Sequence, residues 1–176
     1  DALMYKFDKI LKEALAGIGE QYFQLPLAGS DDLIYRERVY CYELYHQMRV
    51  RWPEDCQYSL CGEVDKAGHP LIRENGLDNL KPDFLVHVPR YMRGNYVVME
   101  VKSASSYLNG ICKDIETLQT FIAHANYERG IILIYGQEFD ELPEQICLQL
   151  QRVSKEIDIW IHSRPSTPAK QVFGAV

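Results

Sequence analysis

Residues Lys81–Lys102, KPDFLVHVPRYMRGNYVVMEVK, constrain the fold more than any other stretch of the chain. Two apolar runs, Phe84–Val88 and Asn95–Val101, flank Pro89–Gly94, so the stretch reads as two strands joined by a hairpin loop. Strand alternation puts Val98, Glu100 and Lys102 on one face and Val97, Met99 and Val101 on the other. A carboxylate and an ammonium closing a strand that is otherwise core are costly to bury unless paired or put to use. Asp83 opens the partner strand, and cation-assisted phosphate chemistry is one use for such a set.

The rest of the chain supplies a frame for this hairpin. Tyr5–Leu15 carries apolar residues at helical spacing (Leu3, Phe7, Ile10, Leu11, Ala14) and is closed by Gly17 and Gly19. Gln24–Ser30 reads as a loop, and Asp31–Asp32 as the cap of a second helix reaching about Val50. At about 100° per residue from Leu33, the apolar arc of that helix holds Leu44, Met48, Cys41, Ile34 and Tyr40, and Glu37 falls inside it near 40°. Glu43 and Arg36 fall on the opposite side. Glu37 is therefore aimed inward, either at a buried arginine or at the site of Asp83 and Glu100; a shifted helix boundary would remove the puzzle.

Gln57–Val64 alternates as a strand, and Lys66–Leu80, rich in Gly, Asn and Asp, reads as a surface connection. After Lys102, a helix over about Tyr107–Ala125 shows the stripe Leu108, Ile111, Ile115, Leu118, Ile122, Ala125. Gly130–Tyr135 is a fully apolar strand of the doubly buried kind, Asp140–Arg152 another amphipathic helix, and Ile157–Ile161 a last strand. The expected architecture is one α/β domain over residues 1–162. Its mixed sheet combines an antiparallel three-strand meander with a parallel crossover, and helices flank it. Residues 163–176 read as a flexible tail or linker.

Composition narrows the function classes. With a formal charge of −6, the chain is not one that grips nucleic acid by bulk electrostatics, although bound cations can neutralise an acidic cleft. Five cysteines without pattern argue against a disulfide framework and for a reducing, cytoplasmic setting. No apolar run approaches the roughly 20 residues of a membrane span, and no signal-peptide pattern opens the chain. A start at Asp1 rather than Met leaves room for a longer parent protein.

A helix, three strands, a helix and a strand, with Pro82-Asp83 before one strand and Glu100-Val101-Lys102 ending the next, resembles the PD-(D/E)XK nuclease superfamily over about residues 31–136. The inward Glu37 matches the helical acid that many members place before the meander. The resemblance implies a restriction-endonuclease-like fold and hydrolysis of phosphodiester bonds with Mg²⁺, for which Mn²⁺ would substitute. Asp83, Glu100 and the Val101 carbonyl would hold the cation, with Glu37 completing the set directly or through water. Lys102 would orient or activate the attacking water. DNA is the expected partner, with no membrane, and a partner domain or a second copy could supply what this chain lacks. The competing expectation is a catalytically silent nuclease-fold scaffold for protein or nucleic-acid binding.

Several further residues stay open. Gln119, Lys113 and Asp114 are each candidates for the extra residue that the helix after the E-x-K strand often contributes. Glu63 could add a ligand, and Arg90 and Arg93 in the hairpin turn could meet phosphates. His87 lies on the face of Asp83 but about 13 Å along the strand. His46 reads as exposed. Tyr40, Tyr42 and Tyr45 read as packing residues rather than base-stacking ones.

Overall fold

The computed structural model describes residues 2–62, 80–105, 108–136, 142–153 and 156–174. Its elements in chain order are α1 (Ala2–Ala16), α2 (Glu20–Phe23), β1 (Leu25–Pro26), β2 (Leu33–Ile34), α3 (Glu37–Arg49), β3 (Ser59–Gly62), β4 (Phe84–His87), β5 (Asn95–Ser103), α4 (Leu108–Ala125), β6 (Arg129–Tyr135), α5 (Glu144–Leu150), β7 (Ile157–His162) and β8 (Lys170–Phe173). Six strands form one mixed sheet in the order β3-β4-β5-β6-β7-β8, and β1 pairs with β2 in a separate two-stranded sheet. The β3-β4-β5 meander is antiparallel, β5-β6-β7 is parallel, and β8 returns antiparallel to β7.

The sheet is covered on both faces, which explains its runs of consecutive buried residues. On one face Val97, Met99 and Val101 of β5 join Leu133 and Trp160 beneath Phe7, Leu11, Leu44 and Met48 of α1 and α3. On the other, Val98, Ile132 and Ile159 pack against Ile111, Ile115 and Leu118 of α4 and Ile146 of α5. Each fully buried Ile or Leu contributes about 1.5–3 kcal/mol, so the two layers together anchor β5 from both sides. The alternation expected along β5 is the one found.

Two segments depart from the sequence reading. The second helix begins at Glu37, not at Asp31–Asp32, because Leu33–Ile34 pairs with Leu25–Pro26. The loop between them turns at Gly29, whose φ of +78° favours glycine, and the Asp32 amide donates to Ser30 Oγ at 3.1 Å rather than entering a helix. The expected flexible tail is in part a strand. Lys170–Phe173 pairs with β7, Ala169 is buried, and the Thr167 carbonyl accepts a hydrogen bond from His162 Nε2 at 2.8 Å. Pro165 and Pro168 belong to the connection that brings β8 back to the sheet. The surface connection expected at Lys66–Leu80 lies outside the described residues except for Leu80, as do Glu63 and the expected helix start at Asp140. Among the described residues no helix is long and apolar enough to cross a membrane, and all five cysteines are free thiols.

Candidate active site

β4 and β5 bring two acids together at one end of the sheet. Phe84 pairs with Met99, so Asp83, one residue earlier, falls beside Glu100. Asp83 Oδ2 accepts the Val101 amide at 2.7 Å, taking the place of a strand partner just where β4 has run out. The N–H and C=O of one strand residue point the same way, so the Val101 carbonyl is turned toward the Asp83 side as well.

The carboxyls of Asp83 and Glu100 lie within hydrogen-bonding reach of each other, and such a bond needs a proton between them. Burial first, and then the charges of Asp83 and Asp114, push Glu100 up to about 9. Asp83 is also raised by burial, against the lowering effect of the Val101 amide and the Glu100 carboxyl. Both carboxyls are thus raised together, Glu100 the more strongly, and the pair favours holding a shared proton.

Lys102 lies on the same face of β5 as Glu100, toward α4. Its Nζ stands 3.4 Å from Asp114 Oδ2. Burial tends to lower Lys102, but the charges of Asp114, Glu37 and Glu100 outweigh it and hold the amine charged. Burial raises Asp114 to about 6 despite the neighbouring ammonium. Asp114 Oδ2 makes no hydrogen bond among the described residues, so the ion pair with Lys102 is what holds it.

Glu37 arrives from the opposite layer. As the first residue of α3 it complements the positive end of the helix. Its Oε1 accepts hydrogen bonds from the Ser103 amide at 3.1 Å and the Ser103 hydroxyl at 3.3 Å. The Ser103 Oγ also lies 2.8 Å from Ser105 Oγ. Glu43, expected in water, is half-buried and accepts from Gln47 Nε2 at 2.7 Å.

The predicted set is thus distributed along the last four residues of β5. Asp83 and Glu100 touch, Glu37 is held at Ser103, and Lys102 is held at Asp114. Among the described residues no three His, Cys, Asp or Glu side chains converge as placed to hold a metal ion. Glu37 and Asp83 line a cleft of about 550 Å³, along with Arg38, Tyr42, Tyr45 and Phe84.

Of the open candidates on α4, Asp114 is the one set against Lys102. Arg90 and Arg93 are exposed in the hairpin turn, at the far end of β4 and β5 from Asp83, so they are not positioned to meet phosphates at this site. His87 is partnered, its Nε2 lying 3.5 Å from Cys61 Sγ. His46 is exposed. Of the three helical tyrosines only Tyr40 packs, stacked on Tyr135 at 3.8 Å between ring centroids; Tyr42 and Tyr45 are exposed in the cleft.

One site residue escaped the sequence reading, and another, Asp114, is one of three candidates in it. Ser103 closes β5 and orients Glu37, and nothing in its residue type marked it. Asp114 did carry a signal, being a charge between Ile111 and Leu118 on the apolar stripe of α4, the same anomaly that singled out Glu37. No family model, no curated protein and no solved structure matches the chain. What the site does must be reasoned from its own residues.

Proposed function

We propose that the chain is a divalent-cation-dependent nuclease of the PD-(D/E)XK superfamily, with a restriction-endonuclease-like fold, hydrolysing phosphodiester bonds in DNA. The observation that supports it best is the closeness of the Asp83 and Glu100 carboxyls, two residues from Lys102 on the same strand face, where Lys102 is paired with Asp114. The antiparallel β3-β4-β5 meander followed by the parallel step through α4 to β6 is in keeping with such a fold.

The donor set suits a hard cation. Two carboxyls in contact, one forced to keep a proton by burial and by the other, form an oxygen-rich site where a divalent ion can displace that proton. Mg²⁺ keeps several waters, so Asp83, Glu100 and the Val101 carbonyl would suffice as protein ligands, with Glu37 contributing through water. When bound, Mg²⁺ or Mn²⁺ supplies Lewis-acid charge at the scissile phosphate and lowers the pKa of coordinated water.

The chain's own residues do the rest. Lys102, kept charged by Asp114, donates a hydrogen bond to a non-bridging phosphate oxygen or to the attacking water and offsets charge gathering at phosphorus. Asp114 fixes the direction of that amine. Ser103 fixes Glu37, which limits how far the helical acid can swing. A partner domain or a second copy of the chain supplies sequence preference, and a cytoplasmic setting is in keeping with the free cysteines.

Nicking of supercoiled plasmid with Mg²⁺, Mn²⁺ and EDTA tests the reading. Cleavage is expected with either cation, abolished by EDTA and lost in Asp83→Ala and Lys102→Ala. Cleavage that survives both substitutions would sink it. The acidic balance of the chain favours the alternative, a catalytically silent nuclease-fold scaffold. A scaffold would neither nick DNA nor bind Mn²⁺ in calorimetry.

A further inference from the structure

The exposed face of α3 carries residues that the hydrolytic site does not use. Arg38, Tyr42, Tyr45 and Arg49 follow one another at spacings of four, three and four. At about 100° per residue they fall within an arc of about 60°. All four are exposed, with Tyr42 at 65% and Tyr45 at 38% of full accessibility. Other large side chains of this helix behave differently: Tyr40, Leu44 and Met48 are fully buried on its opposite face. An exposed aromatic pair next to a fully used core face has not been placed there by packing.

The stripe leads to the acids. Arg38, Tyr42 and Tyr45 line the same cleft as Glu37 and Asp83. From Arg38 to Arg49 the helix advances about 16 Å at 1.5 Å per residue. That length accommodates a few nucleotides of a single strand, whose bases offer aromatic faces and whose phosphates offer negative charge to the two arginines. A duplex buries its base faces by stacking, so it would leave Tyr42 and Tyr45 nothing to stack on. It would also bring its full phosphate charge against a chain with a net charge of −6.

We propose that Arg38, Tyr42, Tyr45 and Arg49 form a track for a single-stranded polynucleotide, with bases stacked on the two tyrosines and the strand running along α3 toward Asp83. The proposal rests on the nuclease reading for its direction and substrate class. It assigns the preferred substrate as a single strand or an unpaired stretch, such as a supercoiled plasmid exposes, over fully paired duplex.

The test is binding by the full chain in EDTA, where nothing can be cleaved. Fluorescence anisotropy is read with a labelled oligothymidylate of about 12 nucleotides, an oligouridylate of the same length and a matching DNA duplex. Single strands are expected to bind more tightly than duplex, and the deoxy and ribo arms distinguish the two sources of the strand. Tyr42→Ala and Tyr45→Ala should each weaken single-strand binding roughly 5- to 100-fold, the loss expected of one stacked base. Tyr42→Phe and Tyr45→Phe should keep it within about twofold, since the ring and not the hydroxyl stacks. Thermal melts of these surface variants should match the wild type.

Equal binding of duplex and single strand, unaffected alanine variants or no single-strand binding at all would each overturn the track. Loss of binding in the alanine variants of a protein that never cuts would uphold the track and reject the nuclease. Cation-dependent nicking with unaffected alanine variants would do the opposite.

Discussion

Replacing Glu100 by Gln should make the cation-free protein more stable, although it should cost activity. The wild-type carboxyl rises from an ordinary value of 4.5 to about 9 in the folded chain, chiefly through burial and then through Asp83. Between those two values the folded state binds more protons than the unfolded state, so stability falls as pH rises through that window. Near pH 7 the unfolded Glu100 is ionised and must take up a proton to fold, at about 1.4 kcal/mol for each of roughly 2.5 units. Glu100 keeps some solvent contact, which brings the expected effect to about 1–3 kcal/mol. Gln presents Asp83 with an N–H donor in place of the carboxyl proton and does not titrate. The advantage of Glu100→Gln should thus be near zero at about pH 4.5 and grow with pH up to about 9. Urea denaturation in EDTA at about pH 5 and about pH 8 measures it. Adding Mn²⁺ at the higher pH should then favour the wild type, which alone offers both carboxylates. A Glu100→Gln protein no more stable than wild type at about pH 8, or one whose advantage does not change with pH, would refute the shared-proton account.

Two further outcomes follow from the same geometry. Glu37→Gln should weaken Mn²⁺ binding in calorimetry by about tenfold, with Glu43→Gln nearly silent, because only Glu37 reaches the end of β5; the reverse ranking would place the helical acid elsewhere. His162 is fully buried between the Tyr40 hydroxyl and the Thr167 carbonyl, and burial lowers it from 6.5 to about 4. The unfolded chain then binds more protons between those values, so up to about 3 kcal/mol of stability should be lost as pH falls from about 6.5 to about 4. Imidazole NMR tests this directly, and a His162 midpoint near 6.5 would refute it.

The hairpin was legible because two independent patterns agreed on it. Apolar alternation set the faces of β5, and turn residues at Pro89–Gly94 set its partner. Helix α3 was half legible. Its buried side could be read from Tyr40, Leu44 and Met48, but its start could not, since Asp31–Asp32 offers the same chemistry to a helix cap and to a tight turn. The pairing of Leu25–Pro26 with Leu33–Ile34 decided between them, and pairing is not a local property. Strand β8 was hidden for a similar reason. Four residues with one exposed end carry little periodicity, and only the open edge of β7 makes them a strand. Tyr42 and Tyr45 were misjudged because tyrosine suits a core and a surface equally, and only their helical phase against Glu37 separates the two.

How an acidic chain could handle a polyanion is answered by the charges at the end of β5. Four carboxyls, of Glu37, Asp83, Glu100 and Asp114, face one ammonium, that of Lys102. Even with a proton on Glu100 the cluster is negative, and a phosphodiester would be repelled at close range. A sheet end arranged this way can accept a phosphate only after cations have entered, so substrate and cation would bind in a coupled order, not independently. Such coupling would assign a division of labour along α3 under the proposed function. Its first residue, Glu37, would belong with the proposed cation-binding acids, whereas Arg38 through Arg49 would need no cation to attract a strand. On the proposed reading, holding a polynucleotide away from the acids, on arginines and aromatic rings, would let the chain retain a substrate that the acidic end of β5 would otherwise drive off.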